Sequence, residues 1–196
     1  MCGLFGFTGR REASTVLLDG LRRLEYRGYD SAGVVTATPG QLHIRRSVGR
    51  VARLAEKVST HGANGSCGLA HTRWATHGRV TEANAHPHTD ATRCIAVVHN
   101  GVIENYRQLK EQLTAEGIEF HSETDTEVLA QRIGRHYRGD LLGAVQKALS
   151  QVRGTYGIGV VCRHEPGVIV GARLGSPLIL GRGDDGEQNQ RHDQQM

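Results

Sequence analysis

Short apolar strands and amphipathic helices occur in clusters along this chain and do not alternate regularly. Apolar runs of strand length, bounded by glycine, proline or polar residues, cover residues 2–7, 32–37, 41–46, 67–72, 94–99, 156–162 and 168–172. Apolar residues at helical spacing predict helices at 12–26, 51–58, 106–116, 125–137 and 141–152. This order favours an α+β layered domain over a regular parallel βαβ fold.

The bulk composition is that of one ordinary globular domain. The 196 residues include 38% apolar and 22% charged residues, which is enough to build one sizeable core. No apolar run reaches the ~18 residues of a membrane span, and the N-terminus lacks the pattern of a secretory signal. The formal charge of +4 comes from arginines spread over most of the length. We therefore expect a cytoplasmic chain with no membrane and no nucleic acid as partner.

The cysteines and histidines do not follow a metal-binding pattern. The four cysteines are far apart and form no CxxC pair, which fits a reducing compartment: Cys2, Cys67, Cys94 and Cys162. Five histidines fall within one third of the chain: His71, His77, His86, His88 and His99. Zinc sites have tighter ligand spacing or a helical HExxH motif, and neither occurs here. We expect no metal and no cofactor.

Cys2 directly follows Met1 and opens the first predicted strand. If Met1 is removed, the α-amino group lies beside the thiol of the same residue. An α-amine has a pKa of about 7.7 to 8.0, so at neutral pH it can accept the thiol proton, directly or through a water molecule. One residue would then supply both nucleophile and base, and Gly3 leaves the thiol unshielded. The alternative is that Cys2 is a small apolar residue of the strand.

Three polar segments next to predicted strands carry many functional groups, namely YRGYDSAG at 26–33, HTRWATHG at 71–78 and HNG at 99–101. Together with CGLFG, NAHPH, VVHNGVIEN and SETDTEV, they resemble the glutaminase domain of the glutamine–fructose-6-phosphate aminotransferase family. The matching motifs run in order from Cys2 to about Gly181. The resemblance implies a four-layer αββα sandwich of the N-terminal-nucleophile (Ntn) hydrolase type, with L-glutamine as substrate.

The same resemblance assigns catalytic roles. It makes Cys2 the nucleophile, which forms a γ-glutamyl thioester after ammonia leaves. The tetrahedral intermediate carries an oxyanion, and the resemblance assigns its stabilisation to the side-chain amide of Asn100 and the backbone N–H of Gly101.

Substrate-binding roles follow in the same way. Arg73 resembles the family residue that holds the α-carboxylate of glutamine, which suits a planar guanidinium with paired donors. Asp125 corresponds to the carboxylate that receives the α-ammonium, assisted by the Gly101 carbonyl. A fixed negative charge there selects free glutamine over a peptide-bound glutamine.

Further residues are assigned around this site. Trp74, Thr76 and His77 lie in a loop that folds over bound glutamine in the family, so we expect them to bind or gate the substrate. Arg27 resembles a residue that supports the N-terminal cysteine, and His86 resembles a histidine that supports the loop.

Taken singly, the same residues have ordinary structural explanations. A lone Asp125 beside Ser122 and Thr124 is more often a helix N-cap. A lone Arg73 is usually a surface cation, and an Asn100-Gly101 pair is most often a tight turn. The order and number of the matching motifs favour the functional interpretation.

The resemblance ends near the segment SPLILG. We expect a glutaminase domain at 2–181 that lacks the last strands of the family domain, and a disordered tail at 182–196. The sugar-isomerase domains that bind fructose 6-phosphate are absent, and the homo-oligomers of the family are formed by full-length members. The alternatives are an inactive or misfolded fragment that at most binds glutamine, and another class II amidotransferase.

Overall fold

The computed structural model describes residues 2–75 and 78–183. These residues form eight strands, which are β1 (Gly3–Thr8), β2 (Ser31–Thr38), β3 (Gln41–Val48), β4 (Cys67–Arg73), β5 (His88–Thr89), β6 (Ile95–Ile103), β7 (Gly154–Cys162) and β8 (Val170–Leu174). They also form five α-helices, α1 (Ala13–Leu24), α2 (Val51–His61), α3 (Tyr106–Ala115), α4 (Asp125–His136) and α5 (Leu141–Leu149).

The strands make two antiparallel four-stranded sheets. The first sheet has the order β1-β4-β2-β3 and the second has the order β5-β6-β7-β8. In the first sheet β4 is central, with Gly3 of β1 opposite Thr72 and Ser31 of β2 opposite Arg73. In the second sheet β6 pairs with β7, so that Asn100 is opposite Gly157. Both central strands therefore carry a motif that the sequence singled out.

The two sheets pack face to face and the helices cover their outer faces. Apolar side chains from both sheets form a buried core between them, including Leu69, Val98 and Val161. A second core lies between the first sheet and helices α1 and α2, and a third lies between the second sheet and helices α4 and α5. The predicted α+β class and its four layers, in the order α-β-β-α, are confirmed.

Local signals explain where the helices begin and end. Thr124 caps α4, because its side chain accepts a hydrogen bond from the Glu127 N–H, and Asp140 caps α5 in the same way through Gly143. Gly117, with a φ of +87°, follows the end of α3 and takes the left-handed conformation that suits glycine. These three helix termini are thus set by short-range chemistry.

The sequence misplaced several boundaries. Helix α1 ends at Leu24, where a 3-10 turn over Glu25–Arg27 follows, and α5 ends at Leu149 instead of 152. The last strand runs over Val170–Leu174 instead of 168–172. Strand β5 was not predicted, because two residues next to Pro87 are too short to show a periodicity. None of these shifts changes the order of elements.

The expected tail lies mostly outside the described residues, which end at Gly183. Before that point, Leu178, Ile179 and Leu180 are exposed and belong to no helix or strand. Among the helices of residues 2–75 and 78–183, none combines the length and apolar character needed to cross a membrane.

Candidate active site

The partly exposed Cys2 directly precedes β1, beside the end of β4. The Gly3 N–H donates to Thr72 Oγ1 at 3.1 Å, which fixes the chain directly after the cysteine. The Trp74 N–H donates to Cys2 Sγ at 3.2 Å, and the thiol in turn lies 3.7 Å from the Trp74 carbonyl oxygen. The sulfur is therefore held at the mouth of the loop that follows β4.

Asn100 and Gly101 lie inside strand β6, so the tight-turn alternative is wrong. The Asn100 Nδ2 donates to the Cys2 carbonyl oxygen at 3.3 Å, which places the side-chain amide next to Cys2. Gly101 has a φ of +133°, and a Cβ there would lie 2.1 Å from the Thr155 carbonyl oxygen on β7. The backbone at Gly101 thus takes a conformation and a packing distance that no other residue type accepts without strain.

Arg73 is buried, so the surface-cation alternative is wrong as well. Its two terminal nitrogens donate to the carbonyl oxygens of Arg79, at 3.1 Å, and of Gly78, at 3.4 Å. The guanidinium therefore lies beneath the loop that follows β4 and holds its far end.

The loop is anchored at both sides of its tip. The Ala75 N–H donates to the Asp30 carboxylate, and the Arg79 N–H donates to Glu123 Oε2 at 2.9 Å. The latter bond holds the pKa of Glu123 below its usual range. The two predicted loop residues Thr76 and His77 lie outside the described residues.

Trp74 presents its side chain near the surface and its backbone to Cys2. Its indole packs edge-on against Tyr29, with ring centroids 5.3 Å apart. Arg27 ends the 3-10 turn that precedes Gly28, and a Cβ on Gly28 would lie 2.8 Å from the Arg73 carbonyl. The YRGYDSAG segment therefore packs directly against the backbone that holds the cysteine sulfur.

Asp125 is the first residue of α4, and Thr124 caps the helix instead, so the N-cap alternative for Asp125 is wrong. Asp125 Oδ2 accepts the Ile103 N–H at 2.8 Å, which ties the carboxylate to the end of β6. Its side chain is 22% exposed. A carboxylate in the first turn of a helix is stabilised by the helix dipole, so a negative charge is well tolerated there.

A group of buried histidines lies beneath these residues. His71 and His86 stack with ring centroids 4.1 Å apart, and His86 Nδ1 accepts the His99 N–H at 3.2 Å. Burial lowers the pKa of His71 to about 4 and holds those of His86 and His88 well below the usual range. These rings are neutral at neutral pH. No three His, Cys, Asp or Glu side chains among residues 2–75 and 78–183 come together as a possible metal site.

Two contacts of the site were missed by sequence reasoning. His71 Nε2 lies 2.9 Å from Asn100 Oδ1, and Asp30 receives the Ala75 N–H. Both residues belong to motifs already quoted, HTRWATHG and YRGYDSAG. The motifs therefore included both residues. Sequence spacing alone does not show that residues 29 and 45 positions apart are in contact.

The fold and the site define the class of this protein. It is an α+β sandwich of the Ntn hydrolase type, in which a cysteine at the start of the first strand meets an asparagine of the opposite sheet. The chain belongs to the glutamine amidotransferase domain family, whose sequence profile matches residues 53–188. Hydrolysis of the glutamine amide is the general chemistry of this class.

Curated relatives within this class are similar to the chain over most of its length. The chain is 53% identical over 184 residues to the glutamine--fructose-6-phosphate aminotransferase [isomerizing] of Thermus thermophilus, and 51% identical over 185 residues to that of Clostridium tetani. Each alignment covers 94% of this chain, which spans about 30% of the length of these relatives.

Solved structures share the fold. A glutamine phosphoribosylpyrophosphate amidotransferase from B. subtilis superposes with a TM-score of 0.75 at 28% identity, covering 88% of this chain and 37% of that one. A structure described as the allosteric regulatory enzyme of purine biosynthesis gives a TM-score of 0.73 at 29% identity, covering 83% of this chain and 36% of that one.

Proposed function

We propose that the chain hydrolyses the side-chain amide of L-glutamine with the thiol of Cys2 as nucleophile. The proposal rests on the contact between Cys2 and Asn100. The Asn100 amide donates to the Cys2 carbonyl at 3.3 Å, while the Trp74 N–H donates to the sulfur at 3.2 Å. A thiol, a backbone N–H directed at its sulfur and a side-chain amide therefore lie within one small region.

The reaction proceeds in two halves. The α-amine of Cys2, present once Met1 is removed, accepts the thiol proton, and the sulfur attacks the side-chain carbonyl carbon of glutamine. The carbon–nitrogen bond then breaks, the proton goes to the leaving nitrogen, and ammonia departs from a γ-glutamyl thioester. A water molecule attacks the thioester and releases glutamate and the free thiol.

The oxyanion of each tetrahedral intermediate needs two donors. We assign them to Asn100 Nδ2 and to the Gly101 backbone N–H, which follow one another on β6. Both residues are paired with β7, Asn100 opposite Gly157 and Gly101 opposite Tyr156, so the sheet holds these groups in place before charge develops. Donors that are fixed in advance are the more effective ones.

Charged groups at the two sides of the site recognise the free amino acid. The Asp125 carboxylate, held by the Ile103 N–H, receives the substrate α-ammonium together with the Gly101 carbonyl. Arg73 receives the α-carboxylate from beneath the loop whose carbonyls it already holds. Trp74, Thr76 and His77 close over the bound substrate and limit the access of bulk water to the site.

Two supporting roles follow from the contacts. Arg27 supports the cysteine through the packing of its turn against the Arg73 backbone, and His86 supports the site through His71 and His99.

The described cysteines are all free thiols, which fits a reducing, cytoplasmic compartment.

The wider role rests on the similar proteins. The curated relatives named above are glutamine--fructose-6-phosphate aminotransferases. We propose that the ammonia released here aminates fructose 6-phosphate on domains that the relatives have and residues 1–196 do not contain. In that setting the residues 2–181 are the glutaminase unit of amino-sugar synthesis, and the assembled protein is a homo-oligomer.

The proposal is tested by incubating three purified forms of the protein with glutamine. Wild type, Cys2→Ala and Cys67→Ala are assayed for glutamate release at about pH 7.5, near the expected pKa of the α-amine. Cys67 is the matched control, because it is a buried thiol in the core between the sheets and has no contact with the site. Intact mass shows whether Met1 is removed.

We expect release from wild type and Cys67→Ala, and none from Cys2→Ala. Hydroxylamine added to the wild-type reaction should trap the thioester as γ-glutamyl hydroxamate. Equal glutamate release from Cys2→Ala would reject Cys2 as nucleophile, and release without hydroxamate formation would reject the thioester.

A further inference from the structure

We propose that His71 is a positioning residue that fixes the orientation of the Asn100 side-chain amide, and with it one donor of the oxyanion site. The inference rests on the proposed function of Asn100 and concerns the residue behind it. His71 Nε2 lies 2.9 Å from Asn100 Oδ1, on the side of the amide opposite Cys2.

The orientation of the amide follows from its two neighbours. The Cys2 carbonyl oxygen can only accept a hydrogen bond, so the group that faces it at 3.3 Å must be the NH₂ of Asn100. The Oδ1 therefore faces His71. An oxygen there can only accept, so His71 Nε2 must carry a proton and donate it. A rotated amide would place two oxygen atoms against each other at the cysteine.

The surroundings of His71 hold this tautomer. The ring is 1% exposed, and its Nδ1 has no hydrogen-bond partner among the described residues. A proton on Nε2 has an acceptor in Asn100 Oδ1, so this tautomer leaves no buried N–H of the ring unpaired. The stack on His86 fixes the plane of the ring. Burial also lowers the pKa of His71 to about 4, so the ring stays neutral.

The contact joins the two sheets. His71 lies on β4, opposite Leu4 of β1, whereas Asn100 lies on β6 of the other sheet. Neither strand is an edge strand. A donor on one rigid strand therefore sets the rotation of an amide on another, and His71 acts on the oxyanion through Asn100 without touching the substrate.

The test compares three variants with wild type. His71→Phe keeps an aromatic ring that stacks on His86 but has no donor, and His71→Gln places an amide nitrogen about where Nε2 lies. Leu69→Ala is the control for stability, because Leu69 lies two residues earlier on β4, in the core between the sheets. The kcat and KM for glutamine, and the melting temperature, are measured for each.

We expect His71→Phe to lower kcat about 10-fold to 100-fold with KM nearly unchanged. This loss is smaller than the ~10²–10³-fold loss caused by removing an oxyanion donor altogether, because the Asn100 amide is still present. His71→Gln should restore kcat to within about 5-fold of wild type, since it returns the hydrogen bond. Leu69→Ala should lower the melting temperature and leave kcat unchanged. Equal loss of kcat in His71→Phe and His71→Gln, or a loss in Leu69→Ala as large, would overturn the positioning role.

A second measurement does not depend on activity. In uniformly ¹⁵N-labelled wild-type protein, the ring nitrogen shifts should show His71 protonated at Nε2 alone. The Asn100 NH₂ signals should move in His71→Phe but not in Leu69→Ala. A proton at Nδ1 would overturn the inference. If wild type released no glutamate, the proposed function would fail, while these spectra would still decide whether His71 orients the amide.

Discussion

Replacing Gly101 by alanine tests whether the backbone of β6 is fixed at the site. The residue has a φ of +133°, and its Cβ would lie 2.1 Å from the Thr155 carbonyl oxygen and 3.0 Å from the Tyr156 Cα. Two costs therefore add. An L-residue in a left-handed conformation costs about 1–2 kcal/mol, and forcing a methyl group into packed backbone costs about 1–3 kcal/mol.

Gly117→Ala is the matched control. Gly117 also has a positive φ, of +87°, but a Cβ there would meet nothing within 4 Å. It therefore carries the conformational cost of about 1–2 kcal/mol without the clash. The free energy of unfolding should fall by about 2–5 kcal/mol in Gly101→Ala, so the two variants should differ by about 1–3 kcal/mol.

Urea unfolding measures this difference directly. With a slope of about 2 kcal/mol per molar, the difference moves the midpoint by roughly 0.5–1.5 M at unchanged slope. Glutamate release should fall at least about 10-fold in Gly101→Ala, because the displaced strand carries the backbone N–H away from the oxyanion, and should stay unchanged in Gly117→Ala. Equal midpoints for the two variants would refute the close packing at Gly101, and a fully active Gly101→Ala would refute the role of its backbone.

Two further predictions concern charge and pH. Asp125→Asn can still accept the Ile103 N–H but has no negative charge, so KM for glutamine should rise about 10-fold to 100-fold, equivalent to ~1.5–3 kcal/mol, with a smaller change in kcat. Michaelis curves check this, and an unchanged KM would remove Asp125 from ammonium binding. His71 has a folded pKa of about 4, below the unfolded value of ~6.5, so the unfolded chain binds more protons between these values. Its contribution to stability is present above about pH 6.5 and falls by roughly 3 kcal/mol as the pH drops to about 4. Urea midpoints at pH 7 and pH 5 should therefore move less in His71→Gln than in wild type, and equal movement would mean that His71 is not buried as a neutral ring.

The sequence predicted most of the fold because the signals are local. The apolar stripe of α1, with Leu17 and Leu21 fully buried, and the buried run of β4 each show their period within one element. Strand β5 gave no such signal, and the ends of α1 and α5 differ by a few residues, as helix ends commonly do.

The pairing of the two sheets could not be predicted in this way. The core between the sheets brings Leu69 of β4 against Val98 of β6, and no local pattern states which strands will face each other. The resemblance to a family supplied this architecture as an expectation, and the structure confirms it.

At the site, too, the sequence identified residues but not their contacts. Asn100 and Asp125 were named from motifs, but the structural alternatives for each residue failed for reasons that only the fold reveals. Asn100 lies in a strand and not a turn, Thr124 takes the capping position, and Arg73 is covered by its own loop. The hydrogen bond between His71 and Asn100 joins residues 29 positions apart on different sheets, so it depends on tertiary packing.

The contact between Cys2 and Asn100 crosses the interface between the two sheets and joins residues 98 positions apart. A reactive thiol on a nascent or partly opened chain is a chemical hazard, because it attacks whatever electrophile it meets. Here each sheet alone carries only half of the apparatus, since the sulfur comes from one and the amide donor from the other. In the proposed mechanism the thiol lies on the side of the first sheet and the oxyanion donors lie on the second, so glutamine hydrolysis requires that the two sheets are docked, and glutamate release would report that docking.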